Sequence, residues 1–269
     1  MIILIHCSVK LTMPLKFTIL GCGSSMGVPR PDGSFGKCSP TEKKNYRSRC
    51  SAIISSKYNN TLIDTSPDLR FQLLKNNIKQ INRVFYSHFH ADQTHGINDL
   101  RIFFIKNKKK IPVYCDKQTR NYLLKNFNYC FKNTPSYPAI LKLYPIKKNN
   151  HFKDQNINLN IKCIKVNHGK VECSAFIINN KCAYLSDVSM IYKKDYKYFK
   201  KLKYFVIDCL RYSKHPSHYS LDQVLDLIKI LKPKKTILTN LHSDLDYNDL
   251  KEILPKNVLP AYDGMSFNL

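Results

Sequence analysis

At 269 residues, with 43% hydrophobic and 23% charged side chains, the chain can bury a substantial core and is too apolar to be a disordered segment. No stretch approaches the roughly 18–20 apolar residues that a membrane-spanning helix requires. The ten cysteines form no C-x-x-C pair, which excludes a stapled secreted scaffold and reads as free thiols in a reducing compartment. The net charge of +25 is nearly all lysine spread along the chain. It fits either an anion-binding surface, densest at 106–110 and 192–205, or a general compositional bias.

The opening MIILIHCSVKLT has no basic region before its apolar run and no small-residue cleavage site after it. Residues 1–12 are therefore expected to be a loose extension or an upstream start, with one domain over 13–269 in a cytoplasmic protein. LKFTIL (15–20), CSAIISS (50–56), RVFY (83–86), IPVYC (111–115), NLNIKCIK (158–165), CSAFII (173–178) and KTILT (235–239) read as strands. LGCGSSMG at 20–27 lacks the Gly-Lys-Ser/Thr of a phosphate-binding loop and predicts a tight turn near the active site. A helix is predicted from Ser66 as cap, with Pro67 at the first helical position. A second begins at the capping-box pair Ser220 and Gln223, sets Leu221, Val224, Leu225, Ile228 and Leu231 on one face, and stops at Lys232-Pro233. Mixed α and β in one domain, with two packed sheets and helices outside them, satisfies this order.

HFHADQTH at 88–95 directly follows the strand RVFY. Two His at i and i+2 with Asp at i+4 converge on one point only where the chain turns, as it does on leaving a strand. Imidazoles and carboxylates are the ligand set of zinc and similar ions. Further short motifs surround His168, Asp187 and His242, and HPSH occupies 215–218; only His6 and His151 of the nine histidines fall outside such motifs. Ligands at successive strand ends are held rigidly.

With LGCGSSMGVPR, LIDTSPDLR, HFHADQTHGINDLR, the His168, Asp187 and His242 motifs and the terminal AYDGM in this order, nearly the whole chain resembles the metallo-β-lactamase superfamily. Within it the chain is most similar to the PhnP-like phosphodiesterases, with tRNase Z as a cousin. The resemblance implies an α/β fold, a four-layer αββα sandwich with the site at one edge of its two sheets. It implies that His88, His90 and His168 hold one metal, that Asp92 and His242 hold a second, and that Asp187 bridges them. Zinc is the expected ion, one or two per chain, with Mn2+ as the alternative. Gln93 stands where the family usually has His. A neutral amide is a poor transition-metal ligand, so the second ion is expected to be weak or absent unless His95 turns in to replace it.

Two bound ions would share a water and lower its pKa towards neutrality. By the same resemblance His218 is the general acid that protonates the leaving group and Asp208 orients it; His218, Asp208 and the ligand Asp92 are the candidate catalytic residues. Asp64 is expected to fix a ligand His by a hydrogen bond. Arg47, Arg49, Arg101 and Arg211 are candidate phosphate contacts, because a guanidinium grips phosphate at two points. Only Cys38 and Cys50 lie where related proteins can carry a cysteine-held structural zinc, so none is expected. The expected function is hydrolysis of a small or cyclic phosphodiester, of the phosphoribosyl cyclic phosphate kind. The alternatives are a tRNase Z-like RNA endonuclease, a thioester hydrolase, and a non-enzymatic scaffold with a decayed site. The expected partner is a small phosphorylated substrate, with RNA as the alternative, no membrane, and a second copy of the chain if the family's usual dimer holds.

Overall fold

The computed structural model describes residues 14–135, 137–146 and 151–269; the extension expected at 1–12 lies outside the described residues. The N-terminal half supplies β1 (Lys16–Gly21), β2 (Ser51–Ser55), β3 (Asn60–Ile63), α1 (Leu69–Lys75), β4 (Arg83–Phe85), α2 (Ala91–Thr94), α3 (Arg101–Asn107), β5 (Ile111–Cys115), α4 (Lys117–Asn126), α5 (Asn128–Phe131) and β6 (Leu141–Pro145). The C-terminal half supplies β7 (His151–Asp154), β8 (Leu159–His168), β9 (Val171–Ile178), β10 (Cys182–Leu185), β11 (Tyr204–Asp208), α6 (Leu221–Leu231), β12 (Lys235–Thr239), α7 (Tyr247–Ile253), β13 (Val258–Pro260) and β14 (Ser266–Asn268). One seven-stranded sheet runs β14-β1-β2-β3-β4-β5-β6, and the other runs β13-β12-β11-β10-β9-β8-β7. The last strand thus returns to edge the first sheet, pairing Phe17 with Phe267, and ties the two halves into one domain.

Side chains alternate across each strand, so neighbours serve different layers. Ala52 and Ile54 of β2 join Phe85, Phe176, Tyr184 and Ile237 in the core between the sheets. Ile53 points the other way, to Leu69, Leu73, Phe103 and Leu123 of the first helical layer. Beyond the second sheet, Val224, Leu227 and Leu231 of α6 and Leu250 of α7 cover Ala183, Leu185, Phe205 and Ile207. These three cores define the four-layer αββα sandwich. No helix among the described residues is long and apolar enough to cross a membrane.

The capping box at Ser220 and Gln223 forms, and Lys232 ends α6 in the left-handed conformation. The first helix is corrected. It begins at Leu69 with Asp68 at the cap, and Ser66, whose hydroxyl accepts Asp68 N–H at 3.1 Å, lies in the turn before it. The aromatic–basic stretch at 192–205 is not one surface element. Phe199 and Phe205 are fully buried, and its end is the start of β11.

Asp246 caps α7 and knots it to the N-terminal loops. Its carboxylate accepts Asn248 N–H at 2.7 Å, Ser39 N–H at 2.9 Å and the Asn45 amide at 2.6 Å. Burial alone would raise this carboxyl, but those donors outweigh it and hold it below its ordinary value. A carboxyl depressed on folding stabilises the fold above its unfolded pKa of about 3.9 and loses that contribution as pH falls through the folded value. Asp246→Ala is expected to cost about 1–2 kcal/mol at pH 7. The gap from wild type in urea unfolding should narrow as pH falls below the unfolded value of about 3.9; a gap unchanged by acid would assign the loss to packing instead.

Candidate metal centre

The predicted ligands meet where strand ends converge at one edge of the sandwich. His88 and His90 follow β4, His168 is the last residue of β8, Asp187 lies just past β10, Asp208 ends β11, and His242 follows β12. In open α/β sheets this margin, beyond the carboxyl ends of the strands, is where ligands bind. His88, His90 and His168 each offer a ligand atom within 4.8 Å of the others, and so do His168, Asp187 and His218. Asp92 and His242 line the same cavity of about 330 Å3, with Ser24, Ser25, Met26, Arg211 and Asn240, but belong to neither three-donor cluster. The turn expected from LGCGSSMG therefore does border the site.

The imidazoles are held by their rear nitrogens. His168 Nδ1 donates to Ser217 O at 2.7 Å, leaving Nε2 free, and Ser87 Oγ lies 3.0 Å from His88 Nδ1. His88 Nε2 and His90 Nδ1 stand 2.9 Å apart. Burial holds His88 well below its ordinary pKa, reinforced by its two neighbours, and takes His168 down to about 4, with His218 adding to the effect. Both rings are therefore neutral at pH 7, the form that binds metal. Three neutral imidazoles beside carboxylates form a donor set that fits zinc.

Beside them lies a charged pair, with the His218 ring 4.7 Å from that of His168. His218 Nδ1 is 2.6 Å from Asp208 Oδ2, and Asp208 is fully buried. Burial opposes charge on His218, but Asp208, then Asp187 and Asp92, push it up to about 9. Asn240 reaches Asp208 Oδ1 (3.2 Å) and Asp187 Oδ1 (3.5 Å) with its amide. Its backbone is left-handed, at φ 60°, a conformation that Asn tolerates better than most residues. Sequence reading missed Asn240 and Ser217. An Asn directly after a β-branched strand was the only signal for the first, and a backbone carbonyl gives none.

Several expectations are corrected. His95 turns away from the cavity: it is exposed, its Nε2 pairs with Tyr122 Oη at 3.0 Å, and its ring packs on Phe127. Asp64 reaches no imidazole; its Oδ1 accepts Ser87 N–H at 2.7 Å, fixing the backbone one residue before His88. Arg47 is 1% exposed and donates to Asn45 Oδ1 and to His242 O, which suits bracing the His242 loop and not gripping a phosphate. Arg49 is committed to a two-point pair with Asp68 (3.0 and 3.1 Å). Arg101 lies over the Tyr137 ring in a separate groove. Of the four arginines, Arg211 alone lines the metal cavity.

Residues 59–240 match the β-lactamase superfamily domain, and the chain belongs to that family of metal-dependent hydrolases. It is similar to a solved diphosphatase of the PhnP family, with 28% identity, coverage of 96% of this chain and 98% of that one, and a TM-score of 0.87. Zn2+-bound PqqB from Methylobacterium extorquens shares the fold at 14% identity, covering 94% and 100% of the two chains with a TM-score of 0.78. An octanoyltransferase from Porphyromonas gingivalis is 30% identical over 257 residues, or 93% of this chain and 51% of that protein. The chain thus spans about half the length of this curated relative.

His168→Ala is expected to weaken Zn2+ binding by more than the roughly 10–100-fold that loss of an outer partner costs. Equilibrium dialysis against a fluorescent zinc chelator measures this, and unchanged affinity would remove His168 from the centre.

Proposed function

We propose that the chain hydrolyses a small or cyclic phosphodiester with the help of bound zinc, Mn2+ being the alternative ion. The observation that carries this reading is the Asp208–His218 pair, with His218 lining the same cavity as His90 and His168 and its ring 4.7 Å from that of His168. A metal ion bound by His88, His90 and His168 would supply an activated water near neutral pH and offset negative charge on the phosphoryl oxygens. The remaining chemistry belongs to the chain's own side chains. Attack forms one P–O bond and breaks another, and the departing oxygen needs a proton. His218, anchored through Nδ1, presents Nε2 for that transfer, and Asp208 stabilises the charged ring before the proton leaves. Arg211 is half-buried at the cavity rim with its guanidinium tied to Ser213 O and Lys214 O, placed to meet a phosphate. A cavity of about 330 Å3 suits a small substrate, and the similarity to a diphosphatase supports a phosphorus centre.

Hydrolysis of a thioester is the second reading. It is favoured by the name of the octanoyltransferase relative, because an activated water can attack a carbonyl as well as a phosphoryl group. Bis-p-nitrophenyl phosphate, a 2′,3′-cyclic nucleotide, a short RNA and an octanoyl thioester, each assayed with and without chelator, separate the readings. Chelator-sensitive turnover of the first two supports the proposal. Turnover of the thioester or the RNA alone would replace it, and no turnover of any would leave a scaffold.

His218→Ala provides a sharper check. Loss of a general acid costs typically 10²–10⁴-fold, but p-nitrophenolate leaves without help. The variant is expected to lose at least about 100-fold on an alkyl-leaving phosphodiester, far less on the p-nitrophenyl ester, and to keep its metal. An equal loss on both substrates would rule out proton donation as its role.

A further inference from the structure

We infer that Gln93 occupies, through hydrogen bonds, the place a second metal ion would take, so that each chain holds one divalent ion, at His88, His90 and His168. The inference rests on reading these residues as a metal centre and not on which substrate is cleaved. Gln93 is fully buried, and its Nε2 lies 3.2 Å from Asp187 Oδ2 and 3.4 Å from Asp92 Oδ2. Those carboxylates are the anionic donors of the expected second site. Two carboxylates facing each other out of water need positive charge or hydrogen between them. An amide NH2 has two hydrogens and can give one to each.

The orientation of the amide follows from its neighbours. With both carboxylates ionised, the state a bound cation favours, a turned-over Gln93 would set its own oxygen against two carboxylate oxygens, three acceptors with no proton among them. With nitrogen inward it satisfies both, and an amide nitrogen has no available lone pair for a metal. The residue is also fixed from behind, since Thr65 N–H donates to Gln93 O at 2.8 Å. The fourth expected participant stands apart: His242 joins no three-donor cluster, and its Nδ1, 3.3 Å from Asp244 Oδ2, makes no hydrogen bond among the described residues. The first set of ligands does not depend on Gln93, so the exchange of His for Gln removes one ion and leaves the other.

Metal stoichiometry decides the matter without reference to catalysis. Metal-free protein titrated with Zn2+ in a calorimeter, and zinc per chain measured by mass spectrometry after chelating resin, should both give one ion. Gln93→His, which replaces the donor with a ligand, should raise the count to two, with Co2+ binding followed by its visible absorption as a second readout. Two tightly held ions in the wild type would overturn the inference, with Gln93 Oε1 then serving as a ligand. So would a Gln93→His protein that melts like the wild type yet still binds one. If that variant does not fold, the wild-type titration stands alone as the test. A protein that binds one ion but hydrolyses no phosphodiester would leave this inference intact and defeat the functional proposal separately.

Discussion

Three imidazoles from two different sheets must come within 4.8 Å of one another, and much of the sandwich serves that meeting. His88 and His90 leave the first sheet after β4, whereas His168 ends β8 of the second. Their approach is fixed by the core between the sheets, where Phe85, just upstream of His88, packs edge-on against Phe176 of β9 at 5.8 Å. Ser174 N–H of β9 donates to Ser87 O, a direct bond between the sheets one residue from His88. The ligands are thus held by the same contacts that hold the fold together, and the rear nitrogens of His168 and His88 are fixed within hydrogen-bond distance of Ser217 and Ser87.

The neighbouring Asp208–His218 pair is held by a similar economy of short bonds. Asp208 holds His218, accepts Val188 N–H at 2.9 Å, and shares the Asn240 amide with Asp187. Asp187 is buried, and burial together with the Asp92 carboxylate pushes it well above the ordinary carboxylate range; a bound cation nearby would favour its ionised form. Neutral metal-binding imidazoles and a charged proton-donating pair therefore stand side by side in one small cavity. The separation of the two roles comes from the Asp208 carboxylate hydrogen-bonded to His218, a partner that His88 and His168 lack while burial holds them neutral.

Sequence made the metal centre largely legible because its ligands fall in short motifs at strand ends, where residue type and position are both constrained. It was less informative where geometry depends on distant packing. Spacing alone left His95 open as a ligand; only the placement of Tyr122 and Phe127 shows that it turns outward. Four arginines were equivalent candidates in sequence, yet burial claims Arg47, Asp68 claims Arg49 and Tyr137 claims Arg101. Strands β3, β6, β7, β10, β11, β13 and β14 were not predicted. They are short, or, like β11, emerge from a lysine- and tyrosine-rich stretch whose period is obscured. The αββα layering itself came from the order of motifs, since hydrophobic periodicity could not choose among two-sheet arrangements.

The claim on which all of this rests is that the three imidazoles form a metal centre. Crystals grown with zinc and measured on both sides of its absorption edge test it most directly. An anomalous peak within bonding distance of His88, His90 and His168 is the expected result. A map with no peak among those three rings, or with its only ion held by other side chains, would contradict it.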